Sequence, residues 1–367
     1  MWLDRKERLR ARSTAPVRQT APMERLHCPT CGNEVFFDSL RCVRCETQLA
    51  FELGETGTLA IADAEVVGAC AMREAWRCNW LPNPPGDPEW KCDSCLIVDP
   101  GDHAANRLLI PFLAAQRRAL AQLTLLGVDW TVPTAPAPMT GGPDGGIKPD
   151  PAHPPLRFTY RSRSAGDPAM IGHLGGLITL DLDEADPAQG EQIRATLGEQ
   201  YRTPLGHIRH ELGHYVWLRY VAGDADRLEQ FRAVFGDESL DYRHAIEEHY
   251  SRTDDGSWRE DRVSFYASAH PWEDFAESWA QVMHIHDVVS TGAAWGVVDA
   301  PVDDFAPKQW LSAAVMASLA ANELARSMGM RDLYPFALSV GARRRIEAAW
   351  HLVQPVAAGS AATSSSR

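Results

Sequence analysis

Cysteine is absent beyond residue 95, and all 8 cysteines of this 367-residue chain fall between Cys28 and Cys95. Such crowding excludes a disulfide framework spread over the chain and suits metal sites in a reducing compartment. A run of about 18 apolar residues is also missing, so no membrane span is expected. The leading stretch MWLDRKERLRARST is charged but has no apolar core segment, which argues against a secretory signal and for the cytoplasm. Basic residues are outnumbered, 36 Lys and Arg against 49 Asp and Glu, for a net charge of -13. A chain of that sign repels polyanions, so nucleic-acid binding is not expected of the whole molecule. With 45% hydrophobic and 23% charged residues it has the composition of an ordinary globular protein, long enough for two or three domains.

The cysteines fall into two sets. Cys28, Cys31, Cys42 and Cys45 form two C-x-x-C knuckles around the strand-forming run VFF, which is the spacing of a zinc ribbon. Four thiolates close a tetrahedral shell with no open position, so this zinc is expected to be structural and to help fold a segment too small for its own core. Cys70, Cys78, Cys92 and Cys95 are less regular, with one C-x-x-C pair and a Pro/Gly loop between. They read as a second structural zinc, the alternative being that Cys70 or Cys78 is a small buried residue. Trp76, Trp80 and Trp90 would then pack around that site.

Composition divides the chain. Residues 1–25 read as a disordered lead-in, 26–100 as a double zinc-ribbon region, and 101–130 as a connecting helix, with apolar residues recurring at three and four from Asn106 to Leu126. Residues 131–155 are rich in Pro and Gly and read as a linker or long loop; 356–367 is a flexible tail. Between them, 156–355 opens with two short strands, LRFTYRS and GLITLDL, then a helix after Pro187. Strand Leu177–Leu182 is placed in order either to border a cleft, where a peptide could add to it, or to be an ordinary core strand. His244 and His249, in a charged stretch, are expected to be solvated.

The segment TPLGHIRHELGHYVWLRYV contains HELGH at helical periodicity. His210 and His214, four apart, share a helix face at a separation two ligands of one zinc require. Glu211 stands one step round the helix, where a carboxylate can reach a metal-activated water without being a ligand, as a general base does. The same pattern also arises by chance on solvated helices that bind nothing, but Ile208, Leu212 and Val216 make this helix look packed in a core. Gly213, between the histidines, leaves space where another element could approach closely.

Two histidines do not hold a catalytic zinc, and SFYASAHPWEDFAESWAQVMHIH offers further donors. On a helix starting near Pro271, Glu273 and Glu277 share a face. One could ligate the metal while the other accepts a proton from the far nitrogen of a ligand histidine. The bland alternative is an acidic first turn that complements the helix dipole. Tyr266, or His270 if the tyrosine points away, could stabilise an oxyanion.

HELGH followed by YASAHPWEDFAE resembles the gluzincin metallopeptidases that carry an E-x-x-A-E helix, such as the anthrax lethal factor group, although the sequence N-E-x-x-S-D is lacking. This resemblance implies Glu273 as the metal ligand, Glu277 as the partner that orients a ligand histidine, and Tyr266 as the oxyanion stabiliser. Over nearly the whole chain, the double-CxxC ribbon, CNWL, AAQRRALAQL, YRTPLGHIRHELGHYVW, FGDESLDY and HPWEDFAESWAQVMHIHD are similar to a bacterial zinc-binding metallopeptidase family with an N-terminal zinc-ribbon domain. The expectation is therefore an α+β chain: ribbon modules followed by a zincin-like domain rich in helices. It would hold one catalytic and two structural zinc ions and hydrolyse peptide bonds, with Glu211 as general base. Its partners would be a peptide or protein substrate and a protein docked on the ribbon. The rivals are a non-catalytic zinc-ribbon adaptor for protein or nucleic acid, and a zinc hydrolase of a non-peptide amide.

Overall fold

A computed structural model describes residues 25–54, 59–82, 89–130, 155–167, 171–197, 203–299, 307–333 and 338–354, with three two-residue strands at Gln19–Thr20, Thr140–Gly141 and Ile147–Lys148. The expected lead-in and tail, and most of the 131–155 stretch, lie outside these residues. The N-terminal region is built from tight turns. β1 (Leu26–His27) and β2 (Glu34–Val35) pair antiparallel around the first knuckle, and the Cys28 carbonyl accepts from Gly32 N–H at 3.0 Å. Gly32, at φ 69, supplies the left-handed residue that reverses the chain here. β3 (Leu49–Leu53) and β4 (Leu59–Asp63) come next as an antiparallel pair, with Gln19–Thr20 on the far edge of β4. Trp76 and Trp80 are buried, whereas the Trp90 side chain is exposed.

The ribbon region is joined to the helical domain by backbone and side chains alike. β5 (Val98–Asp99) pairs in parallel with β6 (Arg157–Arg161) across the Pro/Gly-rich stretch. A four-stranded sheet results, in the order β7 (Gly172–Leu174), β8 (Leu177–Asp181), β6, β5. α1 (Leu109–Leu125) has Pro111 in its first turn, where the missing N–H would have had no helical partner. Its buried Gln116 donates to Ser94 O at 2.8 Å, within the C-x-x-C of the second cysteine set, and accepts from the Tyr160 hydroxyl of β6 at 2.7 Å. One hydrophobic core runs from Leu26 to Val353. β8 is flanked on both sides, by β7 and β6, so of the two roles open to Leu177–Leu182 it has that of a core strand. The sheet's two edges are β7 and the two-residue β5.

Helices make up the rest: α2 (Pro187–Leu197), α3 (Pro204–Tyr220), α4 (Ala225–Phe235), α5 (Tyr242–Ser251), α6 (Pro271–Ala294), α7 (Pro307–Ser327) and α8 (Val340–Val353). The chain is thus a mixed helix-and-sheet protein, with small sheets in its N-terminal half and mostly helices after them. α3 begins at Thr203, whose side chain accepts from Gly206 N–H, with Pro204 next. α6 begins the same way at His270 and Pro271. Its Phe275, Trp279 and Val282 are fully buried. On one side of the α3–α6 crossing, Asp287 of α6 accepts a two-pronged bond from Arg118 of α1, at 2.6 and 2.8 Å, and another from Arg209 of α3. Arg209 also donates to Gln122 of α1 at 3.1 Å. This buried network fixes the three helices relative to one another, on the residue next to His210.

His249 is not solvated. It is buried, with its ring 4.3 Å from that of Phe265, while His244 is exposed as expected. Among the described residues, no helix is long and apolar enough to cross a membrane.

Candidate metal centres

Three groups of side chains converge as metal ligands do, each with its donor atoms within 4.8 Å of one another. In the first, Cys28 Sγ and Cys45 Sγ are 3.6 Å apart, as are Cys31 Sγ and Cys42 Sγ. In the second, Cys78 Sγ and Cys92 Sγ are 3.5 Å apart, and Cys70 and Cys95 complete a fully buried set. These separations exceed a sulfur–sulfur bond and approach the roughly 3.8 Å edge of a tetrahedron of zinc–thiolate bonds. Backbone N–H groups of Met72 and Cys92 point at Cys70 Sγ, and the Thr47 hydroxyl and N–H lower the Cys45 thiol to about 6. Both favour the thiolate, the form that binds metal.

The third group is the one the sequence placed on two helices. His210 Nε2 and His214 Nε2 lie 3.2 Å apart. Glu273 Oε2 lies 3.0 Å from the first and 3.2 Å from the second. Ligands of a tetrahedral zinc with bonds of about 2.0 Å are separated by roughly 3.3 Å. The helices can bring them together because α6 passes over Gly213, where a Cβ would stand 2.7 Å from Ala276 Cα. Ala276 lies between Glu273 and Glu277 in sequence, so the closest approach of the helices is at the ligands themselves.

Partners around the cluster fix its orientation. Glu277 Oε1 lies 2.6 Å from His210 Nδ1 and accepts its proton, which leaves Nε2 as a bare lone pair toward the cluster. Glu277 Oε2 in turn accepts from the Ser264 hydroxyl at 2.6 Å. The Tyr242 hydroxyl donates to Glu273 Oε1 at 2.8 Å, so only Oε2 faces the histidines. Glu273 Oε2 is buried and has no hydrogen-bond partner among the described residues. A buried carboxylate oxygen and two imidazole nitrogens meeting at one point need a cation between them. Electrostatics agrees. Burial favours a neutral His210, yet Glu273 and Glu277 raise it well above the usual histidine range, so without a metal the cluster takes up a proton. The donor set fits a zinc ion.

Glu211 is buried beside the cluster and is not part of it. Its Oε1 is 3.2 Å from His207 Nε2, while Oε2 has no partner among the described residues. Burial would raise its pKa, but His207, His210 and His214 hold it down to about 2, and it is an ionised acceptor. Tyr266 has its ring 5.8 Å from that of His210. Burial and the Glu273 charge raise its hydroxyl well above the usual range, so it remains a donor. His270 is placed differently. As the N-cap of α6 it accepts from Trp272 N–H with Nδ1 at 3.1 Å and donates from Nε2 to Leu240 O at 3.2 Å. Neither nitrogen is left for an oxyanion.

Tyr242, Ser264, His207 and Glu184 were not among the residues singled out in the sequence. His207 alone carried a local signal, since it stands four residues before Glu211 and shares its helix face.

The fold and these centres define a zinc-ribbon protein with a metallopeptidase-type site. Residues 145–351 match the family described as "Putative zinc-binding metallo-peptidase", and residues 25–99 match a zinc-ribbon domain. The chain belongs to that zinc-binding metallopeptidase family. It is 35% identical over 355 residues to an uncharacterized protein of Mycobacterium bovis and to uncharacterized proteins of two Mycobacterium tuberculosis strains, covering 91% of this chain and 96% of each relative. No solved structure matches it.

Proposed function

We propose that the protein is a zinc-dependent peptidase with two structural zinc sites in front, and that it hydrolyses peptide bonds with Glu211 as general base. What carries the reading is Glu211 itself. A structural zinc has no use for a buried, ionised carboxylate oxygen that lies beside its ligands and has no partner among the described residues. A zinc ion held by His210, His214 and Glu273 would supply a Lewis acid that makes a water acidic near neutrality and polarises a carbonyl.

The chain's own groups do the rest. Glu211 Oε2 removes a proton from the attacking water and returns it to the leaving amine, which must be protonated to depart. Tyr266 O–H donates to the oxygen on which negative charge develops. Tyr242 and Glu277 hold the ligand carboxylate and the ligand imidazole in one orientation each. A peptide is favoured over another amide by β7, an edge strand whose His173 ring is stacked 6.1 Å from that of His214. An extended peptide that adds to this edge would run alongside the cluster.

The test is incubation of the zinc-loaded protein with a synthetic peptide library, with products read by mass spectrometry. New fragments from the wild type and none from Glu211→Gln, which cannot accept the proton, are expected. Equal cleavage by both would overturn Glu211 as the base.

A further inference from the structure

Glu184, His207 and Glu211 form a line of three buried ionisable side chains that ends at the metal cluster. His207 Nδ1 lies 2.8 Å from Glu184 Oε2, its Nε2 lies 3.2 Å from Glu211 Oε1, and the three side chains are only 5% to 7% exposed. An ionised carboxylate can only accept. With a carboxylate oxygen opposite each ring nitrogen, an imidazole that carries both N–H groups satisfies both carboxylates, whereas a neutral ring sets a lone pair toward one of them.

The far end of the line is built, not incidental. Glu184 sits in the 3-10 turn Leu182–Ala185 that comes after β8. Its neighbour Asp183 pins that turn by accepting from the Ser162 hydroxyl at 2.9 Å and from the N–H and hydroxyl of Ser164 at 2.8 and 3.0 Å. His207 comes from the start of α3, one turn before Glu211. A sheet-end turn and a helix are therefore both fixed before the imidazole bridges them.

We propose that Glu184 and His207 are positioning residues for Glu211: the charged ring clamps Oε1, so that Oε2 is the one oxygen free to move a proton. The inference rests on the peptidase reading above and deepens it. A general base with two free oxygens could turn both toward a metal and become a ligand. The clamp removes that freedom, because Oε1 would have to abandon a charge-assisted bond between two buried side chains.

The test uses the full, zinc-loaded chain labelled with ¹⁵N-histidine at pH 7, with His207→Gln to assign the ring. Two protonated nitrogens on His207 are expected; a bare nitrogen overturns the clamp. In Glu184→Gln the amide can donate to Nδ1, so the ring should become neutral, with one bare nitrogen. That variant should keep the zinc affinity of the wild type and the wild-type KM on the peptide library, while kcat falls by up to about 100-fold, the cost of a mis-set catalytic group. A kcat equal to wild type would make the pair a mere buttress. Should the wild type cleave no peptide, the peptidase reading falls separately, and the ring nitrogens of His207 still decide the clamp, two protonated supporting it and a bare one overturning it.

Discussion

Gly213 of α3 faces the backbone of Ala276 in α6 so closely that an added Cβ would stand 2.7 Å from its Cα and 2.8 Å from its carbonyl oxygen. Both obstacles are backbone, so no side chain can move aside. Glycine in mid-helix costs about 1 kcal/mol relative to alanine, yet here alanine would push α6 away from the histidines. Gly213→Ala should therefore destabilise the fold by about 1 to 3 kcal/mol, as overpacked cores do, despite its gain in helix propensity. It should also weaken zinc at the open site while the cysteine sites stay filled. Thermal denaturation together with zinc competition by a chelator checks both, and a stabilised variant with unchanged zinc affinity would refute the close approach.

Metal content is the second expectation. Two closed thiolate sets and one open His-His-Glu set predict three zinc ions per chain in protein purified without added metal. Elemental analysis of the wild type, beside a Cys92→Ser variant and a His214→Ala variant, should give three, two and two. A wild-type value near one would sink the two cysteine sites.

Much of this site was legible because its parts are spaced locally. HELGH sets His210, Glu211 and His214 within little more than one turn of a helix, and the HPWEDFAE run fixes a helix start and two carboxylates four apart. What could not be read arrives from elsewhere in the chain. Tyr242 reaches Glu273 from α5, and Glu184 reaches His207 from a turn after β8. Neither has a spacing that points to a partner. His270 was legible as a polar group near the site, but the residue before Pro271 is also the N-cap, and the backbone claims its ring. His249 misled for the opposite reason. Its helix is charged, and the loop carrying Phe265 and Tyr266, distant in sequence, packs against its ring. The joining of ribbon to sheet through β5 is likewise a pairing across the chain that composition does not record.

Acid should act on the fold through Asp287. Burial opposes its charge, but Arg118 and Arg209 lower it from 3.8 to about 2. A depressed carboxylate contributes stability that is present above its unfolded pKa and lost as pH falls through its folded one. The window is thus from about pH 4 down to about pH 2, and the contribution is on the order of 2 kcal/mol. Asp287→Asn leaves two guanidinium groups without their anion and should cost about 3 to 5 kcal/mol at pH 7. Denaturant titrations of both proteins at matched zinc should show that gap narrowing only below pH 4. A gap constant down to pH 2 would mean that Asp287 does not carry the charge assigned to it.

Glu273 and Glu277 share a helix face and the same chemistry, and position alone separates them. Glu273 Oε2 meets both histidine nitrogens, whereas Glu277 touches only the far nitrogen of His210. Glu273→Ala removes one of three ligand atoms and leaves the Tyr242 hydroxyl facing a gap, so the open site should lose its zinc while the cysteine sites remain filled. Glu277→Ala removes the acceptor that fixes the His210 tautomer and frees Ser264. Losses of that kind cost about 10 to 100-fold in metal affinity, so zinc should still bind, more weakly. Glu277→Gln makes the comparison sharper, since its amide oxygen can still accept from Nδ1 without the charge and should fall between the wild type and Glu277→Ala. Zinc titration against a competing chelator ranks all four proteins. The order that contradicts the geometry is an empty site in Glu277→Ala beside a filled one in Glu273→Ala, which would make Glu277 the ligand.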